Sequence, residues 1–161
     1  MRTGYSLIVR LGTATLLAVT TLGGCAEKTA EPTVSYQAVL DTKQLMDWII
    51  DPSSDVVWGA AGTIMTLDGE QDLAPTTQAG WDAVRNAAAT LAETGNLLKM
   101  PGISRGADWN EIAGGLTRTG ELLIGAAERQ DDEQVFDYGG QLYNVCVACH
   151  QIYLLPGLES E

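Results

Sequence analysis

Three residues near the C-terminus have the types and the spacing of a covalent cofactor site: Cys146, Cys149 and His150, in the run Cys-Val-Ala-Cys-His. This Cys-x-x-Cys-His pattern is the attachment motif of a c-type haem, whose vinyl groups bond to the two thiols while the imidazole binds the iron. On a helix the three residues fall within about one turn, so they can reach one edge and one face of the same porphyrin. The motif therefore predicts one covalent haem c, with His150 as an iron ligand.

Two other uses of the motif fit the sequence less well. A redox-active Cys-x-x-Cys is expected beside a strand, at the start of a helix, but here the motif comes late in a long helical pattern. A structural zinc ion needs about four ligands, and the chain has only three cysteines and one histidine. Because His150 is that one histidine, a second histidine of the same chain cannot be the other axial ligand.

Residues 1–24 are predicted to be an export signal. Arg2 and Arg10 make the start of the chain positive, and the apolar run at residues 11–22 is shorter than a membrane span of about 20 residues. The signal ends in Leu-Gly-Gly-Cys at Cys25, which resembles the lipobox of bacterial lipoproteins. The alternative is an ordinary secretory signal with an incidental cysteine.

The lipobox resemblance implies that the signal is cleaved before Cys25 and that this cysteine carries lipid. Residues 25–36 are polar and contain a proline, so they are predicted to be a lipidated tether. Export agrees with the haem motif, because haem c is attached outside the bacterial cytoplasm. The predicted location is the periplasmic side of a bacterial membrane, and Ala26 slightly favours the outer membrane.

The chain is strongly acidic, with 21 Asp and Glu against nine Lys and Arg and a net charge of −12. Such a charge argues against binding to nucleic acid and against electrostatic adhesion to anionic lipid. We therefore expect redox partner proteins with basic surfaces, no nucleic-acid partner, and membrane association through the lipid on Cys25.

The first predicted helix begins near Val39 and is interrupted at Asp51-Pro52, where a proline is suited to the first position of a helix. The alternatives are one kinked helix or two consecutive helices. Its inward face, predicted from the helical period, comprises Met46, Ile49, Ile50, Val57, Ala60, Ala61 and Ile64. Residues 67–77 are predicted to form a loop.

Three further helices are predicted: residues 78–100, a helix that begins at the cap-like Asp108-x-x-Glu111, and a helix that opens with Asp131, Asp132 and Glu133 and stops at Pro156-Gly157. The inward face of the second helix comprises Trp81, Val84, Ala88, Leu91 and Leu98. That of the last helix comprises Val135, Tyr138, Leu142, Val145, Cys149 and Ile152. Several glycines weaken the third helix, each by up to about 1 kcal/mol relative to alanine: Gly114, Gly115, Gly120 and Gly125.

No segment alternates with a period of two, so the fold class is predicted to be all-α. The short connections between the helices favour an antiparallel four-helix bundle. The folded domain is predicted to span residues 37–155, and residues 156–161 are predicted to be a C-terminal tail.

A helical domain with Cys-x-x-Cys-His on its last helix, followed shortly by Tyr153, resembles the class II c-type cytochromes. These are cytochrome c′ and its low-spin, methionine-ligated relatives. The helix order matches over residues 39–153, and specific residues match only at residues 146–153. The family commonly ends its motif with Tyr or Phe followed by arginine, but here Leu154 takes the place of the arginine. The resemblance implies a cytochrome c′-like bundle and, because relatives are often dimers, allows a homodimer.

In such a bundle the end of the last helix lies beside the start of the first helix, the end of the second and the start of the third. The haem is therefore expected near Met46, Met100 and Trp109, and Met65 and Trp81 are expected toward the far end.

Methionine-ligated relatives take the sixth iron ligand from the first helix, a few residues after a basic one, and Lys43 to Met46 loosely fits that pattern. Met46 is therefore the first candidate for the sixth ligand and Met100 the second; the alternative is a five-coordinate iron. Trp109, Tyr143 and Tyr153 are predicted to be walls of the pocket.

The resemblance implies extracytoplasmic electron transfer, in which a methionine ligand would raise the haem potential. The alternative is a five-coordinate, cytochrome c′-like binder of nitric oxide or carbon monoxide, and a third option is a haem subunit of a larger complex. The sequence shows no second histidine, no nucleophile–base pair and no second metal cluster. We therefore expect the protein not to be an enzyme.

Overall fold

The structure is a computed structural model that describes residues 36–154. The predicted signal peptide, the lipidation site Cys25 and the predicted C-terminal tail lie outside the described residues.

Residues 42–58 form one helical stretch made of three consecutive segments. These segments are helix α1, a π-helical segment and helix α2, spanning Thr42–Leu45, Met46–Ile50 and Asp51–Trp58. Asp41 caps the stretch, because its carboxylate accepts a hydrogen bond from the Gln44 amide while the Gln44 side chain accepts one from the Asp41 amide.

Pro52 gives a physical reason for the π-helical segment. Proline has no N–H, and its ring crowds the carbonyl four residues earlier, here that of Trp48. A wider turn relieves this crowding, and the Asp51 N–H accordingly donates to the carbonyl of Met46, five residues back. The irregularity predicted at Pro52 thus takes the form of a change in helical winding just before it.

A short β-hairpin follows the first helical stretch. Strands β1, Thr63–Thr66, and β2, Gly69–Asp72, pair antiparallel, with Thr66 opposite Gly69. The hairpin is the exception to the prediction of an all-α chain, which is otherwise helical. The predictions of a loop throughout residues 67–77 and of an inward helical position for Ile64 were wrong. Every residue of both strands is exposed. Since neither face of the hairpin is buried, its sequence has no alternation of apolar and polar residues that could reveal it.

Three long helices complete the described chain, namely α3, α4 and α5, which span Gln78–Leu97, Ala107–Glu128 and Asp132–Tyr153. The last helix opens at the predicted acidic run, and Asp131 is its N-cap: the Asp131 carboxylate accepts a hydrogen bond from the Gln134 amide at 3.0 Å. The predicted cap at Asp108 was wrong, because α4 begins one residue earlier and Asp108 lies in its first turn. Gly106 is the N-cap instead, and its φ of 114° turns the chain into the helix without a side-chain cap.

The helices share one apolar core. Its largest members are Leu45, Ile50, Val57, Trp81, Val84, Leu91, Leu98, Ile103, Trp109, Leu116, Leu123, Val135 and Leu142. The inward stripe predicted for the second helix is buried throughout, which confirms that prediction. Ile152 was predicted to face inward, but it is 55% exposed, and the neighbouring Tyr153 packs against the core instead.

Helices α3 and α4 cross at very short range. A Cβ atom on Gly120 would lie 2.7 Å from the amide nitrogen of Ala92, so only glycine fits at this crossing. The Thr117 hydroxyl donates to the carbonyl of Ala92 at 3.2 Å and ties the helices together beside it.

Taken over residues 36–154, the chain is mostly helical with a small two-stranded sheet. None of the helices within residues 36–154 is long and apolar enough to cross a membrane.

Candidate functional site

A pocket of about 880 Å³ lies at the C-terminal end of α5. Its walls come from the helical stretch at residues 42–58, the end of α3, the start of α4 and the last turns of α5. Seven of the residues predicted to hold or surround a haem line this pocket: Met46, Trp109, Tyr143, Cys146, Cys149, His150 and Tyr153. The volume falls within the range of roughly 300–1,000 Å³ that is usual for small-molecule and cofactor sites.

Met100 was expected near the haem, whereas Met65 and Trp81 were expected toward the far end of the bundle. Met100, the second candidate ligand, follows α3 in a turn and is not among the residues that line the pocket. Met65 is 77% exposed on β1, and Trp81 is buried in the core; neither lines the pocket. Met46 is thus the methionine that the fold brings to the same pocket as the Cys-x-x-Cys-His motif.

Cys146 and Cys149 lie one turn apart on α5, and both are free, partly buried thiols. Burial raises the pKa of Cys146 above its ordinary value, and the neighbouring Cys149 raises it further. Burial also raises the pKa of Cys149, against a smaller opposing effect of the Arg105 guanidinium. Both groups are therefore protonated thiols near neutral pH.

His150 lies in the last turn of α5, directly after Cys149. It is exposed and lines the pocket. Its backbone carbonyl accepts a hydrogen bond from the Leu154 amide at 3.0 Å, so the helix continues past the histidine before it ends. The imidazole is consequently held by regular helical backbone rather than by a loop.

Met46 opens the π-helical segment and is partly buried against the core. π-Helical turns are rare and occur frequently at functional sites. Here the wider turn begins at the residue that reaches the pocket. The sequence signal for this wider turn is Pro52, six residues after Met46. A proline indicates irregular winding, but it does not indicate which residue that irregularity places in the pocket.

Trp109 connects three helices at one wall of the pocket. It is 2% exposed, and its indole N–H donates to the carbonyl of Leu98 at 2.7 Å, which joins the start of α4 to the end of α3. Its ring meets that of Tyr153 edge to face, with 4.8 Å between the ring centroids. The last turn of α5 is thus positioned directly against α4.

A second aromatic pair lines the pocket where α2 meets α5. The rings of Trp58 and Tyr143 pack edge to face with centroids 6.4 Å apart. The Trp58 indole N–H donates to the carbonyl of Gly139 at 3.0 Å. The sequence did not single out Trp58. Its place one turn after the buried Ser54 is a weak signal, since the Trp58 side chain itself is 37% exposed.

Arg105 is a pocket residue that the sequence did not identify. It lies in the connection between α3 and α4, and its guanidinium carbon is 4.9 Å from the centroid of the Trp109 ring and 5.8 Å from that of Tyr153. Such distances are typical of cation–π contacts. Neither helical period nor motif spacing marks a loop arginine of this kind.

Comparison with known proteins gives no relative: the chain matches no protein-family model, no curated protein and no solved structure. Within residues 36–154, no group of three or more His, Cys, Asp or Glu side chains is placed to hold one metal ion. What the site can do follows from the pocket and the chemistry of the side chains that line it.

Proposed function

We propose that this protein is a c-type cytochrome that carries one haem c and transfers electrons outside the bacterial cytoplasm. The observation that carries the proposal is the pocket of about 880 Å³ whose wall includes Cys146, Cys149, His150 and Met46 together. The residues that line it are mainly apolar and aromatic, as is usual for cofactor pockets. Two thiols one helical turn apart, followed by an imidazole, are the groups that covalent attachment and ligation of a haem require.

Each of the four residues Cys146, Cys149, His150 and Met46 has a role in this proposal. Cys146 and Cys149 would hold the porphyrin through thioether bonds, and His150 and Met46 would be the axial ligands of the iron. Bound haem supplies one-electron redox chemistry. The thioether sulfur of Met46, as an axial ligand, would raise the reduction potential of the iron. The aromatic walls of the pocket would keep water from the site.

The finer architecture is also a proposal. We infer an antiparallel four-helix bundle of the class II cytochrome type, formed by the stretch at residues 42–58 and by α3, α4 and α5. The packing of α3 on α4, of α4 on α5, and of α2 on both α3 and α5 supports this arrangement. The hairpin at residues 63–72 would then be an addition between the first two helices, and a homodimer is compatible with this fold.

The proposed setting follows from the N-terminal sequence. Lipid on Cys25 would anchor the protein to the periplasmic side of a membrane, with the outer membrane slightly favoured. Residues 25–36 would form the tether, and the domain at residues 37–155 would exchange electrons with basic redox partner proteins. The acidic composition supports this choice of partner.

Haem attachment is tested by extraction of the purified protein with acidified acetone. We expect the haem to remain with the wild-type polypeptide, and we expect the variant Cys149→Ser to lose the bond to one vinyl group, with a changed pyridine haemochrome spectrum. Cys25→Ser is the matched control, because it removes a cysteine outside the motif and should leave the haem spectrum unchanged. A wild-type protein that is isolated without haem, or that releases it to the solvent, would refute the proposal.

The ligand Met46 is tested by electron paramagnetic resonance of the ferric protein. We expect a low-spin signal that becomes high-spin in Met46→Ala and persists in Met65→Ala, whose side chain is exposed on β1 away from the pocket. A wild type that is already high-spin, and that binds nitric oxide or carbon monoxide without displacing a ligand, would support the gas-binding alternative instead.

A further inference from the structure

The charged side chains around the pocket are not equivalent. Four of the residues that line it have charged side chains: Lys43, Asp47, Asp51 and Arg105. The Lys43 ammonium pairs with the Asp47 carboxylate one turn away on the same helical stretch. Arg105 forms no ion pair with any carboxylate in residues 36–154. Lys99, Arg118 and Arg129 also lack a carboxylate partner in residues 36–154, but none of them lines the pocket.

The guanidinium of Arg105 is also held in place. It lies over Trp109, which is itself fixed by its hydrogen bond to Leu98, and within 5.8 Å of the Tyr153 ring centroid. Contact with an aromatic face leaves the edge of a guanidinium, with its five N–H donors, free to bind a planar anion. A carboxylate is the anion that this fork binds with two parallel hydrogen bonds.

We propose that Arg105 binds a propionate carboxylate of the haem and raises the reduction potential of the iron by neutralising the charge of that carboxylate. This inference rests on the proposed function, since it needs a haem in the pocket. The chemistry is specific, because the propionates are the only anionic groups on the porphyrin and the thioether bonds fix how it enters the pocket.

The effect on the potential has a definite sign. A propionate without its guanidinium partner is a full negative charge beside the iron, and it stabilises the ferric form. One unit charge in surroundings of intermediate dielectric changes such an equilibrium roughly tenfold. For Arg105→Gln we therefore expect the reduction equilibrium to shift about tenfold toward the ferric form, which is a fall of about 59 mV for a one-electron couple.

The test is a redox titration of the haem-loaded wild type, Arg105→Gln, Arg105→Lys and Arg118→Gln. Arg118 is the matched control, because it is an exposed residue of α4 that does not line the pocket, and its substitution removes the same charge. We expect Arg118→Gln to shift the equilibrium less than twofold. Arg105→Lys keeps the charge but not the fork, so its potential should stay close to that of the wild type.

Resonance Raman spectra of the same samples provide a readout that a purely structural role of Arg105 would not move. The propionate-bending band should shift in both Arg105 variants and not in Arg118→Gln. An equal potential change in Arg105→Gln and Arg118→Gln, with an unshifted band, would overturn the inference and leave the proposed function intact. If Arg105→Gln fails to load haem, the band in Arg105→Lys decides: an unshifted band overturns the inference. A wild type without haem would instead refute the proposed function.

Discussion

Substitution of Gly120 by alanine tests whether α3 and α4 touch backbone to backbone. The added Cβ would lie 2.7 Å from the amide nitrogen of Ala92 and 2.8 Å from both its Cα and its Cβ. Carbon atoms in contact normally approach to about 3.5–4.0 Å. The obstructing atoms belong to a helix backbone and to an alanine, none of which can rotate away, so the helices would have to separate by nearly 1 Å.

The magnitude follows from two opposing terms. Overpacking of this kind costs about 1–3 kcal/mol, and here no flexible side chain can relieve it. Alanine in place of glycine inside a helix contributes up to about 1 kcal/mol in the other direction. We expect Gly120→Ala to lower the free energy of unfolding by about 2 kcal/mol, because three backbone and Cβ contacts are violated together. For a domain of this size, 1 kcal/mol corresponds to roughly 4 °C in Tm, so Tm should fall by about 8 °C.

The measurement is thermal unfolding followed by circular dichroism, with Gly140→Ala as the matched control. A Cβ on Gly140, in α5, meets no atom within 4 Å. This variant therefore gains only the helix propensity and should be about 0.5–1 kcal/mol more stable than the wild type. Equal stabilisation by Gly120→Ala and Gly140→Ala would show that α3 and α4 do not cross at the distance described.

Two further substitutions test the contacts that position α5. Trp109→Phe removes the buried hydrogen bond to the Leu98 carbonyl and should lower the free energy of unfolding by about 1–3 kcal/mol in a denaturant titration; a change below 0.5 kcal/mol would contradict that bond. Asp131→Ala removes the cap of α5 and should cost about 1 kcal/mol. Asp132→Ala, in the first turn of the same helix, removes a carboxylate without the cap and should cost less; equal losses would show that Asp131 acts only through its charge.

The sequence predicted the helical part of the fold well, because its signals are local or periodic. The stripe from Trp81 to Leu98 repeats with the helical period and is buried as expected. Asp131 stands at the position of a cap and acts as one. The chemistry of Cys146, Cys149 and His150 depends on spacing within one helical turn, which needs no knowledge of the rest of the chain.

Other features could not be predicted, since they depend on contacts between distant residues or on the absence of burial. The hairpin at residues 63–72 has no buried face and therefore no pattern. Gly120 looked like a defect in a helix, and only the position of Ala92 shows that a larger residue would not fit. Arg105 lies in a loop, and its place over Trp109 follows from how α4 packs on α3.

The two sides of the pocket are held by different means, and this difference bears on how the proposed haem would be tuned. The motif side is fixed through a chain of direct contacts: Gly120 sets the distance between α3 and α4, Trp109 joins them at the pocket, and Tyr153 packs against Trp109. The side with Met46 has its helical winding altered by a proline six residues away. Because a π-helical turn shifts the residues on either side of it relative to the core, the winding near Met46 would govern how closely its sulfur approaches the iron. Control of the sixth ligand would then reside in the first helical stretch rather than in the haem attachment motif.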